Sequence, residues 1–245
     1  IPDRIEAGTF LGAGAMTAGD VRVEGCRPDH LRVLLERLEE AQVPIEVGDD
    51  WVASRAYDPA ALRLRPTDVT TLPFPGFPTD MQAQWMALMT LADGMSLITE
   101  QIYPDRYMHV AELMRMGAQI RRQGTTSIVM GGAAPLTGAR VMASDLRASA
   151  ALVLAGLVAK GTTEVYRVYH IDRGYERIDE RLRELGAEIA RTDEDDVDGP
   201  AESARERGAE LAEADALAIA RAVLIPRPPA APRAEPRVEV GEERS

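Results

Sequence analysis

One pattern recurs three times along the first three quarters of this chain, and it constrains the fold more than any other feature. Each copy reads as Asp, an apolar helix, Gly, a short β-rich run, an amphipathic helix and a further β-rich run. The apolar helices follow Asp3 (RIEAGTFLGAGAMTAGD), Asp80 (MQAQWMALMTLADG) and Asp145 (LRASAALVLAGLVAKG), which stand 77 and 65 residues apart. Each Asp occupies an N-cap position, where its carboxylate satisfies backbone N–H groups that the helix leaves open. Gly19, Gly94 and Gly161 follow the helices and are suited to the left-handed C-terminal conformation. The strands VRVEG, SLITEQI and TEVYRVYHI come next. Then come the helices PDHLRVLLERLEEA, RYMHVAELMRMG and YERIDERLRELG, with apolar residues at three-and-four spacing, and the runs PIEV, AQIRR and AEIAR.

The first helices are apolar nearly all round and rich in small residues such as Gly8, Gly12, Ala150 and Gly156. A helix without a polar face belongs in the interior. The second helices carry a charged face and belong outside. The prediction is an α/β (α+β) lobe of three βαβα-type units, about 1–71, 72–144 and 145–191, with three sheets around three buried helices. Leu62 to Thr71 and Ala139 to Ser144 read as strands linking one copy to the next. No such strand follows Arg191, so copy three is one strand short.

Residues 192–245 differ in kind. They hold 14 acidic and 7 basic side chains, against 26 and 21 in residues 1–191. TDEDDVDGP is an acidic breaker, and RPPAAPRAEPRVEVGEERS is Pro-rich and short of large apolar side chains. Such composition predicts no fixed structure. The competing reading is an amphipathic helix over Glu202 to Leu224 that docks a partner through Leu211, Leu217, Ile219 and Leu224.

A pI near 4.8 argues against nucleic acid as the ligand, because phosphate binding needs clustered cations. The only cysteine, Cys26, excludes an intrachain disulfide or a CxxC motif. It reads as an inert thiol and fits a cytoplasmic home. No apolar stretch has the length of a membrane span. The start Ile1-Pro2-Asp3 reads as the middle of a longer protein.

If the three buried helices begin at one end of the lobe, three carboxylates and three helix N-termini share one rim, and anions bind at such termini. Arg4, Arg147 and Arg173 lie beside the sequence pairs Asp3-Arg4, Asp145-Leu146-Arg147 and Asp172-Arg173. Arginine holds a phosphate or carboxylate by a two-point fork. The competing use of these arginines is internal Asp–Arg pairing. In PFPGFPTDMQAQW, three prolines and a glycine precede Asp80 and stiffen the loop that aims it. His109 and His170 lack metal-ligand spacing, so no metal site is expected.

The strings PGFPTDMQAQ, RYMHVAELMRMGA, ASDLRASAALVLAGL and YHIDRGYERIDERLRELGA resemble successive blocks of the UDP-N-acetylglucosamine enolpyruvyl transferases, and the resemblance runs through residues 1 to about 191. It implies the second of two lobes, each of three repeats. An amino-terminal strand from the start of the full chain would then complete the third repeat. The implied reaction moves the enolpyruvyl group of phosphoenolpyruvate to the sugar 3-hydroxyl through a tetrahedral intermediate, with loss of phosphate. It is the first committed step of peptidoglycan synthesis and uses no metal or cofactor. By resemblance, Asp80 is the general base for the sugar hydroxyl, Ile102 contacts the nucleotide sugar through its backbone, Arg173 binds phosphoenolpyruvate, and Arg147 and Asp145 line the cleft. Asp3 belongs to the same rim.

Small departures are Ser144 where Thr is usual, and Pro104-Asp105 where Glu-Asn is common. The larger one is the other lobe, with the family's reactive cysteine loop, Lys-Asn pair and further arginines, so the chain alone is expected to be inactive. Two alternatives stand beside this reading. One is a noncatalytic scaffold that binds a nucleotide sugar or a protein partner, and the other is the shikimate enzyme of the same fold, against which FPTDMQAQ and HIDRGYERI argue.

Overall fold

The computed structural model describes residues 2–191 and the two-residue segment Val238–Glu239. The three predicted core helices are α1 (Arg4–Thr17), α3 (Gln82–Met89) and α5 (Leu146–Gly156). They pack on one another, and the burial runs unbroken from Ile5 to Met16, Gln82 to Met89 and Ala148 to Ala155. A packed trio of this kind needs side chains that let helices approach, which is what the glycines and alanines supply. The amphipathic helices α2 (Pro28–Glu40), α4 (Met108–Arg115) and α6 (Ile178–Glu184) turn one face inward, at Leu31, Leu34, Leu35 and Leu38, at His109, Val110 and Leu113, and at Ile178 and Leu182.

Three sheets surround this core. The first contains β1 (Val21–Glu24), β2 (Ile45–Val47), β3 (Trp51–Ser54) and, at its edge, β10 (Val238–Glu239), in the order β10-β1-β3-β2. The second contains β4 (Val69–Thr70), β5 (Gly94–Thr99), β6 (Gln119–Gln123) and β7 (Thr126–Gly131), in the order β4-β5-β7-β6. In the third, β8 (Arg140–Met142) pairs with β9 (Glu164–Tyr166) alone among the described residues. The second and third sheets place a linking strand, β4 or β8, parallel to the first strand of the new repeat. The hairpins β2–β3 and β6–β7 then complete the first two sheets antiparallel. The third repeat lacks that hairpin among the described residues, which accords with its short count of strands in the sequence.

Several local expectations are corrected. Ala18 (φ 53°), not Gly19, takes the left-handed position that ends α1. Gly94 opens β5 instead of capping α3, which stops at Met89, and Gly161 lies beyond the end of α5 at Gly156. In TEVYRVYHI only Glu164–Tyr166 is a strand, and Val168–Arg173 coils into a 3-10 helix. AEIAR forms no strand, and Leu62 to Thr71 contributes only Val69–Thr70. The strands β3 and β7 went unpredicted, because WVAS and TSIVMG are short apolar runs without clear alternation. The expectation for residues 192–237 and 240–245 lies outside the described residues. Val238 and Glu239 do form part of a sheet. No helix among the described residues is long and apolar enough to cross a membrane.

Candidate functional site at the helix-start rim

Asp3 and Asp145 are the N-caps foreseen for them. Asp3 Oδ1 accepts from the N–H groups of Ile5 (2.7 Å) and Glu6 (3.3 Å). Asp145 Oδ1 accepts from those of Arg147 and Ala148, both at 2.8 Å. Asp80 is different, and here the capping expectation fails. A 3-10 turn, Thr79–Met81, precedes α3, and the Asp80 side chain makes no capping bond. Its carboxylate instead accepts from Arg106 Nη1 at 2.7 Å and lies 3.3 Å from Arg147 Nε. The loop before it is tightly braced. Gly76 donates to the Pro73 carbonyl (2.8 Å), Leu72 donates to that of Phe77 (3.0 Å), and the Phe74–Pro75 peptide is cis.

Two networks that sequence reasoning missed hold the rim together. The hydroxyl of Tyr175, a residue only 1% exposed, meets Thr9 Oγ1 of α1 at 2.9 Å, Gln84 Nε2 of α3 at 3.3 Å and Arg147 Nη1 of α5 at 3.4 Å. One phenol thus ties the three core helices together near their amino ends and fixes the arginine that faces Asp80. Burial, the largest influence on Tyr175, pushes its phenol up, while Arg147 pulls the other way. Burial also opposes the Arg147 charge, yet Tyr175 and Asp80 outweigh it and hold that guanidinium above its ordinary range.

The second network centres on Glu100, which is fully buried. Its Oε1 accepts from Thr71 Oγ1 (2.6 Å) and the N–H groups of Ile102 (2.8 Å) and Tyr103 (2.9 Å), and its Oε2 accepts from Thr79 Oγ1 (2.8 Å). A carboxylate so saturated is structural. It fastens the Ile102 turn to the Asp80 turn. The Ile102 N–H is therefore engaged, and among the described residues nothing bonds to its carbonyl. Nothing in the periodicity marks Glu100, Arg106 or Tyr175. Their partners are distant in sequence, and only the folded chain shows them.

The arginines divide between the two uses foreseen for them, since Arg147 pairs internally with Asp80. None of the neighbouring pairs forms an ion pair among the described residues. Asp3 and Asp145 accept from backbone, Arg4 lies over the Phe74 ring at 4.8 Å, and Asp172 is held by Arg191 at 2.7 and 2.9 Å. The Arg191 guanidinium keeps the Asp172 carboxyl below its usual range. Arg173 is left exposed with no bonded partner among the described residues, two positions before Tyr175. Hence Asp80 and Arg147 are in contact, Asp145 caps the helix that carries Arg147, and Ile102 is linked through Glu100 to Thr79 beside Asp80, whereas nothing among the described residues bonds Arg173 to this group. Asp3 caps α1, whose Thr9 meets Tyr175, and no bond joins Asp3 itself to the group among the described residues.

Cys26 is buried, and burial raises its thiol to about 11, which matches an inert role. His109 is buried, with Nε2 unpartnered, and burial lowers its pKa to about 4.

Three repeats thus bring the amino ends of their core helices to one rim, where Arg106 and Arg147 meet Asp80 and Tyr175 joins all three helices. The chain belongs to the EPSP synthase (3-phosphoshikimate 1-carboxyvinyltransferase) family, which matches residues 1–182. Among relatives, the UDP-N-acetylglucosamine 1-carboxyvinyltransferase of Anaeromyxobacter sp. (strain Fw109-5) is 58% identical over 194 residues, covering 78% of this chain and 44% of that protein. The protein of the same name in Chlorobium luteolum is 56% identical over 189 residues, covering 77% and 43%. The crystal structure of the enolpyruvyl transferase NikO from Streptomyces tendae matches with a TM-score of 0.71 at 31% identity, covering 78% of this chain and 44% of that one. EPSP synthase from Acinetobacter baumannii shares the fold, at a TM-score of 0.60 and 18% identity. The chain spans less than half the length of these relatives.

Proposed function

We propose that this chain is the carboxy-terminal lobe of a UDP-N-acetylglucosamine 1-carboxyvinyltransferase and supplies half of that enzyme's active site. The enzyme would transfer the enolpyruvyl group of phosphoenolpyruvate to the sugar 3-hydroxyl in cytoplasmic peptidoglycan synthesis. The observation that carries this reading is the Asp80 carboxylate. It is excused from capping α3 and is held by Arg106 and Arg147 at a partly open rim.

In this reading Asp80 accepts the proton of the sugar 3-hydroxyl as that oxygen bonds to the central carbon of phosphoenolpyruvate, while the alkene electron pair takes a proton at the methylene carbon from a group of the amino-terminal lobe. Loss of phosphate and of one methyl proton from the tetrahedral adduct then restores the double bond. A base needs hydrogen-bond reach of that hydroxyl. Its single contacts with Arg106 Nη1 and Arg147 Nε, both at Oδ1, fix where the carboxylate points. Arg173, exposed and without a bonded partner among the described residues, provides the cation for the phosphoenolpyruvate anion, the Ile102 carbonyl receives the nucleotide sugar, and Asp145 and Asp3 fix the helix ends that line the cleft. The remaining groups come from the amino-terminal lobe, including the cysteine loop.

The test restores the enzyme by adding a family amino-terminal lobe, in cis or in trans, and follows phosphate release from the two substrates. Because Asp80 caps nothing, Asp80→Asn should leave stability within about 1 kcal/mol, the scale of a partly exposed ion pair. It should nonetheless cut turnover by roughly 100-fold or more, as removal of a general base does. Near-normal turnover of Asp80→Asn would remove the base from this carboxylate. A restored enzyme that used shikimate 3-phosphate in place of the nucleotide sugar would overturn the substrate assignment.

A further inference from the structure

Thr9, Gln84 and Tyr175 form a polar cluster in the interior, and all three are buried. Thr9 Oγ1 lies 2.8 Å from the Ile5 carbonyl and 2.9 Å from the Tyr175 hydroxyl, and Gln84 Nε2 lies 3.2 Å from Thr9 Oγ1 and 3.3 Å from the Tyr175 hydroxyl. Arg147 Nη1 makes a fifth contact, at 3.4 Å from the same hydroxyl. Each hydroxyl has one proton and two lone pairs, and the amide nitrogen has two protons. Only one assignment serves all five contacts. Gln84 donates to both oxygens, Arg147 donates to Tyr175, Tyr175 donates to Thr9, and Thr9 donates to the Ile5 carbonyl. With the Gln84 amide turned over, two hydroxyl protons would have to serve the four contacts that exclude Arg147. The Met81 sulfur, 4.0 Å from Thr9 Oγ1, is the weaker alternative acceptor.

From this we infer that Tyr175 is a positioning residue of the Asp80 site, and that Thr9 and Gln84 act through it. The phenol oxygen holds Arg147 Nη1 while the same guanidinium meets Asp80 through Nε, and the two buried partners fix which way the phenol's proton points. The inference rests on the reading of Asp80 as the base and adds residues that reach it only through Arg147. A phenylalanine at 175 would fill nearly the same volume without a hydroxyl to satisfy, and a buried hydroxyl costs stability unless it is bonded. What the hydroxyl adds is direction. An arginine side chain is long and rich in rotamers, and a bond at Nη1 selects those that turn Nε to Asp80. Burial raises the phenol, so it keeps the proton that it gives to Thr9. Without the Thr9 oxygen that proton is free to turn toward the guanidinium, where it meets the N–H of a cation and loosens Arg147 from Asp80. Thr9 therefore governs Asp80 without touching it or Arg147.

Kinetics of the enzyme restored with a family amino-terminal lobe, together with nitrogen-15 NMR of the full chain, test it. Tyr175→Phe and Thr9→Val should each lower kcat by about 10-fold or more, the scale of a small misplacement at a reacting centre. KM for both substrates should stay within about twofold, because the lost hold acts on the transition state and not on binding. Thr9→Ser keeps the oxygen and should rescue kcat to within about twofold of the parent. The double variant should be no slower than Tyr175→Phe alone, since both changes remove one hold. In the NMR spectrum the Arg147 Nε–H signal should move toward that of a free arginine in Tyr175→Phe and Thr9→Val, and stay in place in Thr9→Ser. Tyr175→Phe keeps the buried ring and covers the case in which Thr9→Val fails to fold. Parent-like kcat in Tyr175→Phe, or a loss in Thr9→Val confined to melting temperature, would overturn the inference while Asp80→Asn still abolishes turnover. Near-normal turnover of Asp80→Asn would sink the reading of the base instead. The Arg147 signal then decides the positioning alone, and a signal unmoved in Tyr175→Phe overturns it.

Discussion

Asp3, Asp80 and Asp145 occupy equivalent places in the sequence repeat, yet they differ in what their side chains do, and substitution separates them. Asp3→Ala and Asp145→Ala each remove a carboxylate that accepts two backbone N–H groups. Each should lower stability by about 1 kcal/mol, read as a shift of the denaturant midpoint at unchanged slope. Asp80→Ala removes no cap and should cost less than either. Equal losses for all three would mean that Asp80 caps its helix after all. The repeat in the sequence revealed the three positions but could not tell a cap from a carboxylate given to two arginines. The distinction depends on one 3-10 turn and on Arg106, which lies 26 residues further along the chain.

His109 makes a second prediction at this scale. Burial lowers its pKa from 6.5 to about 4, with Asp145 acting weakly the other way. The folded chain therefore resists a proton that the unfolded chain accepts. Stability from this residue is intact above about pH 6.5, falls as the pH drops toward 4, and changes no further once both states are protonated. His109→Gln should flatten that part of the curve of melting temperature against pH. If the variant and the parent lose stability in parallel between pH 6.5 and 4, His109 is not the group responsible.

Among the elements, the sequence disclosed helices well and strands unevenly. The six α-helices lie where an all-apolar pattern or a three-and-four stripe placed them, because such periodicity is a direct imprint of burial. β3 and β7 were hidden, since four to six apolar residues satisfy a strand or a helix equally. What fixes β7 is contact, and one glycine shows it. A Cβ on Gly131 would stand 2.2 Å from the Met89 carbonyl oxygen and 2.4 Å from that of Ala92, so the strand and the end of α3 touch backbone to backbone. Gly131→Ala should destabilise by roughly 1–3 kcal/mol, the usual cost of overpacking. Gly12→Ala meets only Leu154 Cδ1 at 3.5 Å. It should be neutral or stabilising, because alanine favours a helix interior by up to about 1 kcal/mol over glycine. Thermal melts of the two variants would decide, and equal effects would deny the close approach.

For the whole molecule, the two four-stranded sheets and the two-stranded one predict unequal stability. In the first two repeats, the side of the first strand opposite its parallel neighbour is covered by β3 or β7. The corresponding side of β9 has no strand against it among the described residues, and Glu164 to Tyr166 are all partly exposed. A pair of three-residue strands with one bare side gains little from burial and leaves backbone groups to water. Amides of β8 and β9 should therefore exchange by local opening, at rates at least about tenfold above those of β5 and β7. The family resemblance names the element that would cover this side, an amino-terminal strand from the start of the full chain, which a preparation of the amino-terminal lobe would carry. Adding that lobe should slow exchange at β9 while leaving β5 and β7 unchanged, and it should raise the melting temperature with the logarithm of its concentration above the dissociation constant. Protection of β9 equal to that of β5 in the chain alone would show that the third sheet is already complete. Protection that stays low with the lobe bound would place the contact between the lobes elsewhere, at the helix-start rim.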